Sequence, residues 1–488
     1  MILLRRIVLY LFTLIYLVFC PLTIFYALGF MYQPGSEHGI VKTGLVYVST
    51  VPSGATVYLN DMRYEGTTPS VIRNLIPGSY QVRVELKGHQ LWNQEVPVEA
   101  EHASVLEKML LLPESLKKHS LGAQSFEQMT VIPGTPFLLL ARGKKISECF
   151  VYDLKKKLEY PLSGPLFEWE DAKVLQTHLV SRAKTIVVKL ERQNARRFYQ
   201  FDLSLENTPK DLTSLFPEEP KKILWDPSAE THLLVFKDKH LNYLRSDKKT
   251  IYPKVAGNVQ GFGVENKNLY LLRDDHTFAV MTLDGRNEKA LLKDAVLGES
   301  LFEDKGFYDI DVLSPELILF LGEKGALISN RLPYRFAHAE VKGYDYAPRQ
   351  KKLLVWTRSE IGVIDFSKAE ESETDVFEKG PRLIWMFTRG KSIQKATWIY
   401  DAAHVIFQDQ DHLVFLDLET FNKAETHELL QMKEDTAYHY TDQTGLLYFL
   451  DRESGKLTAA ELLPKRELIL LPFPTRQEKT VKRRLMML

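Results

Sequence analysis

The chain has 488 residues with 63 Lys and Arg against 63 Asp and Glu, and this length predicts two or three domains or one large repeat body plus a smaller domain. Hydrophobic residues make up 45% and charged residues 26%, a globular composition that excludes wholesale disorder. Zero net charge argues against a general nucleic-acid binder, and two cysteines exclude a disulfide framework or a cysteine-rich zinc site.

The N-terminal segment, residues 1–36, is predicted to hold a transmembrane anchor. Residues 7–36 contain no charged side chain, and the apolar run 7–30 is longer than the about 20 residues that a helix needs to cross a bilayer. Arg5 and Arg6 precede the run. Because basic residues favour the cytoplasmic side of a membrane helix, we expect the N-terminus in the cytoplasm and the later domains outside it.

Two other interpretations of this segment compete with the anchor. A cleaved secretory signal, with Ala27-Leu28-Gly29 as a possible cleavage site, stays open, although the apolar core of such a signal is normally only about 7–15 residues long. A lipoprotein signal ending at Cys20 needs a small residue before the cysteine, and Phe19 excludes it. Cys149 is then the one cysteine of the exported part.

Residues 44–113 predict a small β-domain, in which short runs of alternating apolar and polar residues are separated by turns. Four motifs follow in order: Pro52-Ser53-Gly54-Ala55, Val57–Asp61, Gly66-Thr67-Thr68-Pro69 and Leu75–Tyr80. In these motifs the segment resembles a PEGA domain, with Ser53 in place of Glu and Asp61 at a position usually held by Gly. The resemblance implies a small extracytoplasmic β-sandwich, often beside a membrane anchor, and no catalytic residues.

Residues 120–470 contain a recurring pattern of an apolar triplet, a loop and an apolar strand that ends in Asp. About eight such centres occur, with spacings close to the about 40–45 residues of a propeller blade. The most regular copy runs from Trp225-Asp226-Pro227-Ser228 to Phe236 and resembles the WD40-like repeats of TolB-type propellers. This resemblance implies a β-propeller of seven or eight blades. A series of β-sandwiches is the alternative, but it lacks the periodic Asp-ended strand.

Two segments depart from the repeat. Residues 420–434 are the best candidate for an amphipathic helix, as an insertion between blades. Residues 471–488 form a basic tail with Arg476, Lys479 and Lys482-Arg483-Arg484. Such a tail either contacts an anionic surface or is a solvated terminus, and both interpretations stay open.

The chain lacks the motifs of several enzyme classes. It has no G-x-S-x-G nucleophile motif and no G-x-x-x-x-G-K-[ST] phosphate loop. The segment His427-Glu428-Leu429-Leu430-Gln431 fails as an H-E-x-x-H zinc motif because Gln431 replaces the second histidine. No calcium loop is completed after Asp309-Ile310-Asp311 or Asp409-Gln410-Asp411, so these pairs are interpreted as turn carboxylates between strands.

Aromatic side chains offer a competing hypothesis for a binding surface. Either they line a ligand surface for a glycan or peptide at the centre of the ring, or they pack between blades, as aromatics usually do. The candidates are Trp169, Trp385, Trp398 and Tyr400. His232 and His404 precede apolar strands and are predicted to be core or loop residues. The two glycines of Gly261-Phe262-Gly263 lack the strand–helix context of a nucleotide-binding loop.

These features predict a mostly β protein with an N-terminal transmembrane helix, a PEGA-like β-sandwich and a β-propeller. We expect a non-catalytic binding or scaffolding protein of a bacterial cell envelope. Its expected partners are the lipid bilayer and a protein or glycan, with no nucleic acid, metal or cofactor. The alternative is a propeller-based lyase or glycosidase, which requires acidic and histidine side chains gathered in the central channel. The sequence assigns no catalytic, metal or cofactor residues.

Overall fold

The computed structural model describes residues 2–27, 29–32, 39–164, 167–179, 183–204, 209–216, 219–226, 229–292, 301–302, 306–331, 334–367, 380–418 and 424–464. Within these residues the chain is mostly β. One long helix precedes 41 strands, and two short 3₁₀ helices lie among them, Ile146–Glu148 and Thr213–Leu215.

Helix α1, Ile2–Ala27, lies where the anchor is predicted. Its stretch Arg5–Tyr26 is long and apolar enough to cross a membrane, and its described side chains are almost all exposed. A water-facing helix with this composition exposes a large apolar surface, which is the usual property of a membrane span. The short strands β1 (Phe30–Tyr32) and β2 (Ile40–Lys42) follow and pair antiparallel.

A small β-sandwich comes next. Its seven strands are β3 (Gly44–Val51), β4 (Thr56–Leu59), β5 (Met62–Thr67), β6 (Ser70–Leu75), β7 (Gly78–Glu85), β8 (Trp92–Val98) and β9 (Ala103–Leu110). One sheet has the order β6-β3-β9, with β3 and β9 parallel, and the other has the order β5-β4-β7-β8. Alternate residues, such as Val48, Val57, Val84 and Val96, are buried between the sheets. This burial explains the alternation in the sequence.

Strand β10 (Lys117–Ser125) leads from the sandwich into a series of four-stranded antiparallel groups, here called units. Units 4 and 5 are the two halves of one eight-stranded sheet, joined through a parallel strand pair. Units 1 to 4 are β11–β14 (Gln128–Val131, Phe137–Ala141, Cys149–Asp153, Leu158–Pro161), β15–β18 (Lys173–His178, Thr185–Arg192, Ala195–Asp202, Lys210–Asp211), β19–β22 (Lys222–Asp226, Ala229–Lys237, His240–Arg245, Thr250–Ala256) and β23–β26 (Val259–Glu265, Asn268–Arg273, Phe278–Thr282, Lys289–Leu292). Units 5 to 7 are β27–β30 (Tyr308–Ser314, Leu317–Gly322, Leu327–Ser329, Arg335–Ala337), β31–β34 (Gly343–Ala347, Lys352–Trp356, Ile361–Asp365, Leu383–Phe387) and β35–β38 (Ile393–Ile399, His404–Asp409, His412–Asp417, Glu425–Gln431).

Unit 8 joins the two ends of this region. It contains β39 (His439–Thr441), β40 (Leu446–Leu450) and β41 (Lys456–Glu461), and its fourth, outermost strand is β10. Strand β10 pairs antiparallel with β41, with Ser120 opposite Thr458. A strand from the start of the region therefore completes its last sheet.

Apolar clusters between consecutive units close the series into a ring. Seven clusters join units 1 and 2, 2 and 3, 3 and 4, 4 and 5, 5 and 6, 6 and 7, and 7 and 8. An eighth cluster packs Leu138 and Leu140 of unit 1 against Tyr448 and Leu450 of unit 8. Each unit buries its two faces against its neighbours, which is the packing of a β-propeller.

The inner strands of units 4 and 5 approach each other unusually closely. Strand β23 pairs in parallel with β27, with Gly261 opposite Tyr308. A Cβ atom added to Gly263 would lie 2.1 Å from the Ile310 carbonyl oxygen, and one added to Gly261 would lie 2.5 Å from that of Tyr308. The two glycines of the Gly261-Phe262-Gly263 pair are therefore needed for backbone contact between units, and not for a nucleotide.

The ring has two distinct faces. Because β10 is the outer edge of unit 8, the first strand of each unit is the innermost. Loops between the first and second and between the third and fourth strands lie on one face, which we call the anchor face. Loops between the second and third strands, and between units, lie on the opposite face, which we call the distal face.

The β-sandwich is attached to the anchor face at units 7 and 8. His404, at the start of the second strand of unit 7, is fully buried, and its Nε2 lies 2.8 Å from the Lys108 carbonyl oxygen. Leu110 and Leu112 pack in one cluster with Leu462 and Leu463 of unit 8. A shared apolar core and a partly buried hydrogen bond therefore fix the sandwich to the ring.

The sandwich separates helix α1 from the ring by about one strand length. At one end, the backbone amide of Thr43, next to β3, donates a hydrogen bond to the Gly29 carbonyl at 2.8 Å. At the other end of β3, Val51 packs against the cluster of units 7 and 8. Strand β3 has eight residues, and at about 3.3 Å per residue it spans about 26 Å.

The helix predicted at residues 420–434 is wrong. Residues 425–431 form the outer strand β38 of unit 7, with Phe415 opposite His427. Pairing with strand β37 holds the segment as a strand despite its helical pattern, because the backbone of every second residue forms hydrogen bonds with β37. Residues 419–423 lie outside the described part, as do Pro227 and Ser228 of the most regular repeat copy.

Candidate functional site

The inner strands bring titratable side chains together near the ring's axis, although the sequence assigned no site there. We call the set the channel residues: Lys222 of unit 3, Asp309 and Asp311 of unit 5, Tyr344 and Asp345 of unit 6, Lys395 of unit 7, and His439 of unit 8. The prediction that Asp309 and Asp311 are turn carboxylates is wrong, because both lie within strand β27. Alternation along β27 exposes both carboxylates and buries Ile310 between them.

One half of the channel residues is centred on Lys222. The Lys222 ammonium group forms an ion pair with the Asp309 carboxylate, and the Tyr344 hydroxyl donates a hydrogen bond to Asp311 at 2.5 Å. Burial lowers the pKa of Lys222 to about 8, while the charge of Asp311 acts in the opposite direction.

The other half links units 6, 7 and 8. The Asp345 carboxylate accepts a hydrogen bond from the backbone amide of Trp398 at 2.9 Å. Burial raises the pKa of Asp345, although this hydrogen bond and the charge of Lys395 oppose the shift. Burial lowers the pKa of Lys395, and burial together with the Lys395 charge lowers the pKa of His439 to about 4. His439 is therefore neutral at physiological pH.

A cleft opens beside these residues on the distal face, across units 3, 4 and 5. Its volume is about 620 Å³. Phe236, Val259 and Phe307 supply an apolar floor. The charged wall consists of Lys221, Asp238, Lys239, Asp274, His276 and Glu323. A cleft with an apolar floor and a few polar groups is the usual form of a binding site.

Ion pairs span the cleft between different units. Lys221 Nζ lies 2.5 Å from Glu323 Oε1, and Lys239 Nζ lies 3.2 Å from Asp274 Oδ2. The four side chains are 37% to 64% exposed, so each pair contributes little to stability. Because these side chains are partly exposed, the cleft presents both positive and negative charges to a partner.

His276 lies at one end of the cleft in a strained conformation. Its φ is +64°, in the left-handed region that a residue with a side chain rarely adopts. The imidazole stacks on Phe302, with 6.1 Å between ring centroids, and its buried Nδ1 has no hydrogen-bond partner among the described residues. Residues 303–305 next to Phe302 lie outside the described part. Strain of this kind is often found at binding sites.

The structure places the other sequence candidates outside this site. Asp409 caps a distal loop, where its carboxylate accepts hydrogen bonds from the backbone amides of Lys391 and Ser392, so its interpretation as a turn carboxylate is confirmed. Glu428 lies on a strand and contacts His412 at 3.0 Å. Within the described ranges, no group of three or more His, Cys, Asp or Glu side chains is arranged to hold a metal ion.

The aromatic candidates pack between units instead of lining a ligand surface. Trp169 and Trp398 are buried in the clusters of units 1 and 2 and of units 6 and 7. The Trp398 indole donates a hydrogen bond to the Asp345 carbonyl at 3.0 Å. Tyr400 stacks on His404, and Trp385 is half-buried on the outer strand of unit 6. The packing alternative is therefore confirmed for Trp169, Trp398 and Tyr400.

Comparison with known proteins identifies the small sandwich. Residues 43–110 match the PEGA domain family, so the resemblance seen in the sequence motifs is confirmed. No curated protein matches the chain.

Solved structures similar to the chain include propellers with little sequence identity. The β-propeller domain of Cps50 (Swd1) from Myceliophteria thermophila is 10% identical, covers 72% of this chain and 100% of its own, and has a TM-score of 0.38. The computationally designed Ika8 protein is 10% identical, covers 71% and 98%, and has a TM-score of 0.42. The N-terminal domain of Nup159 is 14% identical, covers 72% and 96%, and has a TM-score of 0.31. The strand order and the closed series of clusters carry the propeller assignment here.

Proposed function

We propose that this protein is a membrane-anchored, extracytoplasmic binding or scaffolding protein of a bacterial cell envelope. The PEGA domain is the spacer, and the propeller is the interaction platform. The observation that carries the proposal is the division between the two faces of the ring. The PEGA domain, which follows helix α1, attaches at the anchor face, whereas the cleft of about 620 Å³ opens on the distal face.

We further propose that the eight units are the eight blades of one propeller of the TolB-type, WD40-like class. The support is the completion of unit 8 by strand β10 and the eight clusters that join consecutive units. The Trp225–Phe236 segment, which carries the most regular copy of the repeat, lies in the first two strands of unit 3.

The partner expected at the distal cleft is a segment of another protein. A peptide backbone has donors and acceptors along its whole length, and its side chains include apolar groups. The aromatic floor and the two ion pairs, Lys221–Glu323 and Lys239–Asp274, match both properties. A glycan would find fewer exposed aromatic platforms, since Trp169 and Trp398 are buried.

The test is site-specific photo-cross-linking in the organism that makes the protein. A photoreactive residue at Lys239 or His276 is expected to capture one protein partner, because both line the cleft. The control replaces Lys249, which is exposed in the same unit but on the anchor face. If neither cleft position gives an adduct at normal expression, or if Lys249 gives the same one, the proposed platform is wrong.

A second candidate function is an envelope lyase or glycosidase with its site in the channel. The observation in its favour is that burial raises the pKa of Asp345 and lowers the pKa of Lys395, whose charges interact, as in acid–base pairs. Against it, Asp309, Asp311 and Asp345 are each engaged by a residue of another unit. Release of reducing ends from purified envelope glycan, abolished by Asp345→Asn, would favour the enzyme over the platform.

A further inference from the structure

We propose that the anchor face of units 1 to 3 docks on the anionic surface of the bilayer that holds helix α1. This inference rests on the proposed membrane anchoring. The surface, here called the basic sector, consists of lysines in anchor-face loops of three consecutive units. They are Lys155, Lys156 and Lys157 of unit 1, Lys184 of unit 2, and Lys248 and Lys249 of unit 3.

The charge of the basic sector is largely uncompensated. All six lysines are exposed, and their ammonium groups form no ion pair with the described residues. Acidic residues nearby are already engaged. The Asp153 carboxylate caps its loop by accepting hydrogen bonds from the backbone amides of Lys155 and Lys156. Asp247 forms an ion pair with Arg245 at 2.9 Å. A surface of this kind attracts anionic phosphate groups.

Exposed apolar side chains flank the same lysines. Leu158 follows the Lys155–Lys157 loop and is 49% exposed. Ile251 and Tyr252 follow the Lys248–Lys249 loop and are 38% and 50% exposed. A surface that lies on lipid headgroups typically combines lysines with partly exposed aliphatic and tyrosine side chains. Charge alone would equally suit a nucleic acid or an acidic protein, but these apolar neighbours favour a bilayer.

The attachment of the PEGA domain leaves the basic sector free to approach the membrane. Among the described residues, the domain contacts units 7 and 8 by way of His404 and the cluster of Leu110 and Leu112. It therefore supports one side of the ring at about 26 Å from the end of the helix segment. Unit 1 is next to unit 8 in the ring, and unit 3 lies across the ring from the attachment. A tilt of the ring on the unit 1 to 3 side therefore brings the basic sector to the headgroups.

The described part of the chain ends on the anchor face, and a basic stretch of sequence follows it. Residues 465–488 contain seven Lys and Arg against two Glu. The described chain ends at Pro464, directly after Leu462 and Leu463, which pack beside the PEGA domain on the anchor face.

The test is amine-reactive footprinting of the full chain in nanodiscs, read by mass spectrometry. One nanodisc contains phosphatidylcholine alone, and in the other a third of the lipid is phosphatidylglycerol. We expect Lys248 and Lys249 to react at least about tenfold more slowly in the anionic nanodisc, because headgroups cover them. Lys239, on the distal face of the same unit, is the internal control and should react equally in both.

Two further arms separate the alternatives. Added salt is expected to remove the protection, whereas inorganic phosphate added to the phosphatidylcholine nanodisc should not create it. Replacing Lys155, Lys156, Lys157, Lys248 and Lys249 by Gln should remove the protection of Lys184, the remaining reporter. Equal reaction rates in both nanodiscs, or equal protection in both, would overturn the proposal. Failure of the chain to enter nanodiscs would instead contradict the proposed anchoring.

Discussion

His439, near the ring's axis, makes the stability of the fold depend on pH. His439 has a pKa of about 4 in the folded chain, against 6.5 for an ordinary histidine. Between these two pH values the unfolded chain binds more protons than the folded one, so the free energy of unfolding falls as the pH falls. Acidification from pH 6.5 to 4 should therefore cost up to about 3 kcal/mol through His439.

The variant His439→Gln should reduce this acid sensitivity. We expect the difference in thermal midpoint between pH 7 and pH 4.5 to be smaller for His439→Gln than for the natural chain. His119→Gln is the matched control, because the His119 side chain is 61% exposed. An unchanged pH dependence in the His439 variant would contradict the burial of this imidazole.

The turn between strands β4 and β5 also depends on single residues. Asn60 and Asp61 have φ values of +44° and +64°, the geometry that favours Gly at the second position. Asp61→Gly should stabilise the PEGA domain by about 0.5–1 kcal/mol, because the ion pair of Asp61 with Arg83 is solvent-exposed and contributes little. Urea unfolding measures the gain.

The matched control for that variant is its neighbour. Asn60 Oδ1 accepts a hydrogen bond from the backbone amide of Gln81 at 2.9 Å. Asn60→Gly removes this hydrogen bond and should therefore give no net gain. Equal stabilisation by both variants would show that the hydrogen bond is unimportant and that our description of the turn is wrong.

Among the elements, the close contact between strands β23 and β27 requires glycine at Gly261 and Gly263, because neither position has room for a side chain. Gly263→Ala should destabilise the ring by about 2 kcal/mol or more, because its Cβ would lie 2.1 Å from the Ile310 carbonyl oxygen. Gly257→Ala is the control, since its nearest neighbour is His240 Cδ2 at 3.9 Å. Thermal unfolding of both variants checks the prediction, and similar midpoints would contradict the close strand contact.

The elements also show what the sequence can and cannot predict. The Asp that ends each repeat strand is a local signal, because its carboxylate caps the next turn, as Asp153 does for the amides of Lys155 and Lys156. Such signals predict the strands and the propeller. Strand β38 was predicted to be a helix, since its pairing with β37 is not visible in its own residues.

The candidate site escaped sequence analysis for the same reason. Lys222 and Asp309 are 87 residues apart, and Lys221 and Glu323 are 102 residues apart. They meet only after the ring has closed. A lysine next to buried apolar residues in a first strand, as at Lys222 and Lys395, is a signal in the sequence that points to the channel.

In the whole molecule, the PEGA domain and the ring should move as one body. Leu112→Ala removes a buried side chain from their shared cluster and should loosen the junction. We expect trypsin to cleave at Lys117 and Lys118 at least fivefold faster. This corresponds to a decrease of about 1 kcal/mol in the free energy of local opening. Leu91→Ala, at a position 56% exposed, is the control. Equal cleavage rates would show that the contact does not hold the domains together.

The central claim is that the distal face lies outside the cytoplasm while helix α1 holds the chain in the membrane. Lys239→Cys places a thiol on that face, and the natural Cys149 will not interfere, since burial raises its pKa to about 12. The most direct measurement is labelling of this variant in intact spheroplasts with a membrane-impermeant maleimide. We predict full labelling before lysis for Lys239→Cys and labelling only after lysis for Leu3→Cys at the N-terminus. Labelling of Lys239→Cys only after lysis would contradict the account.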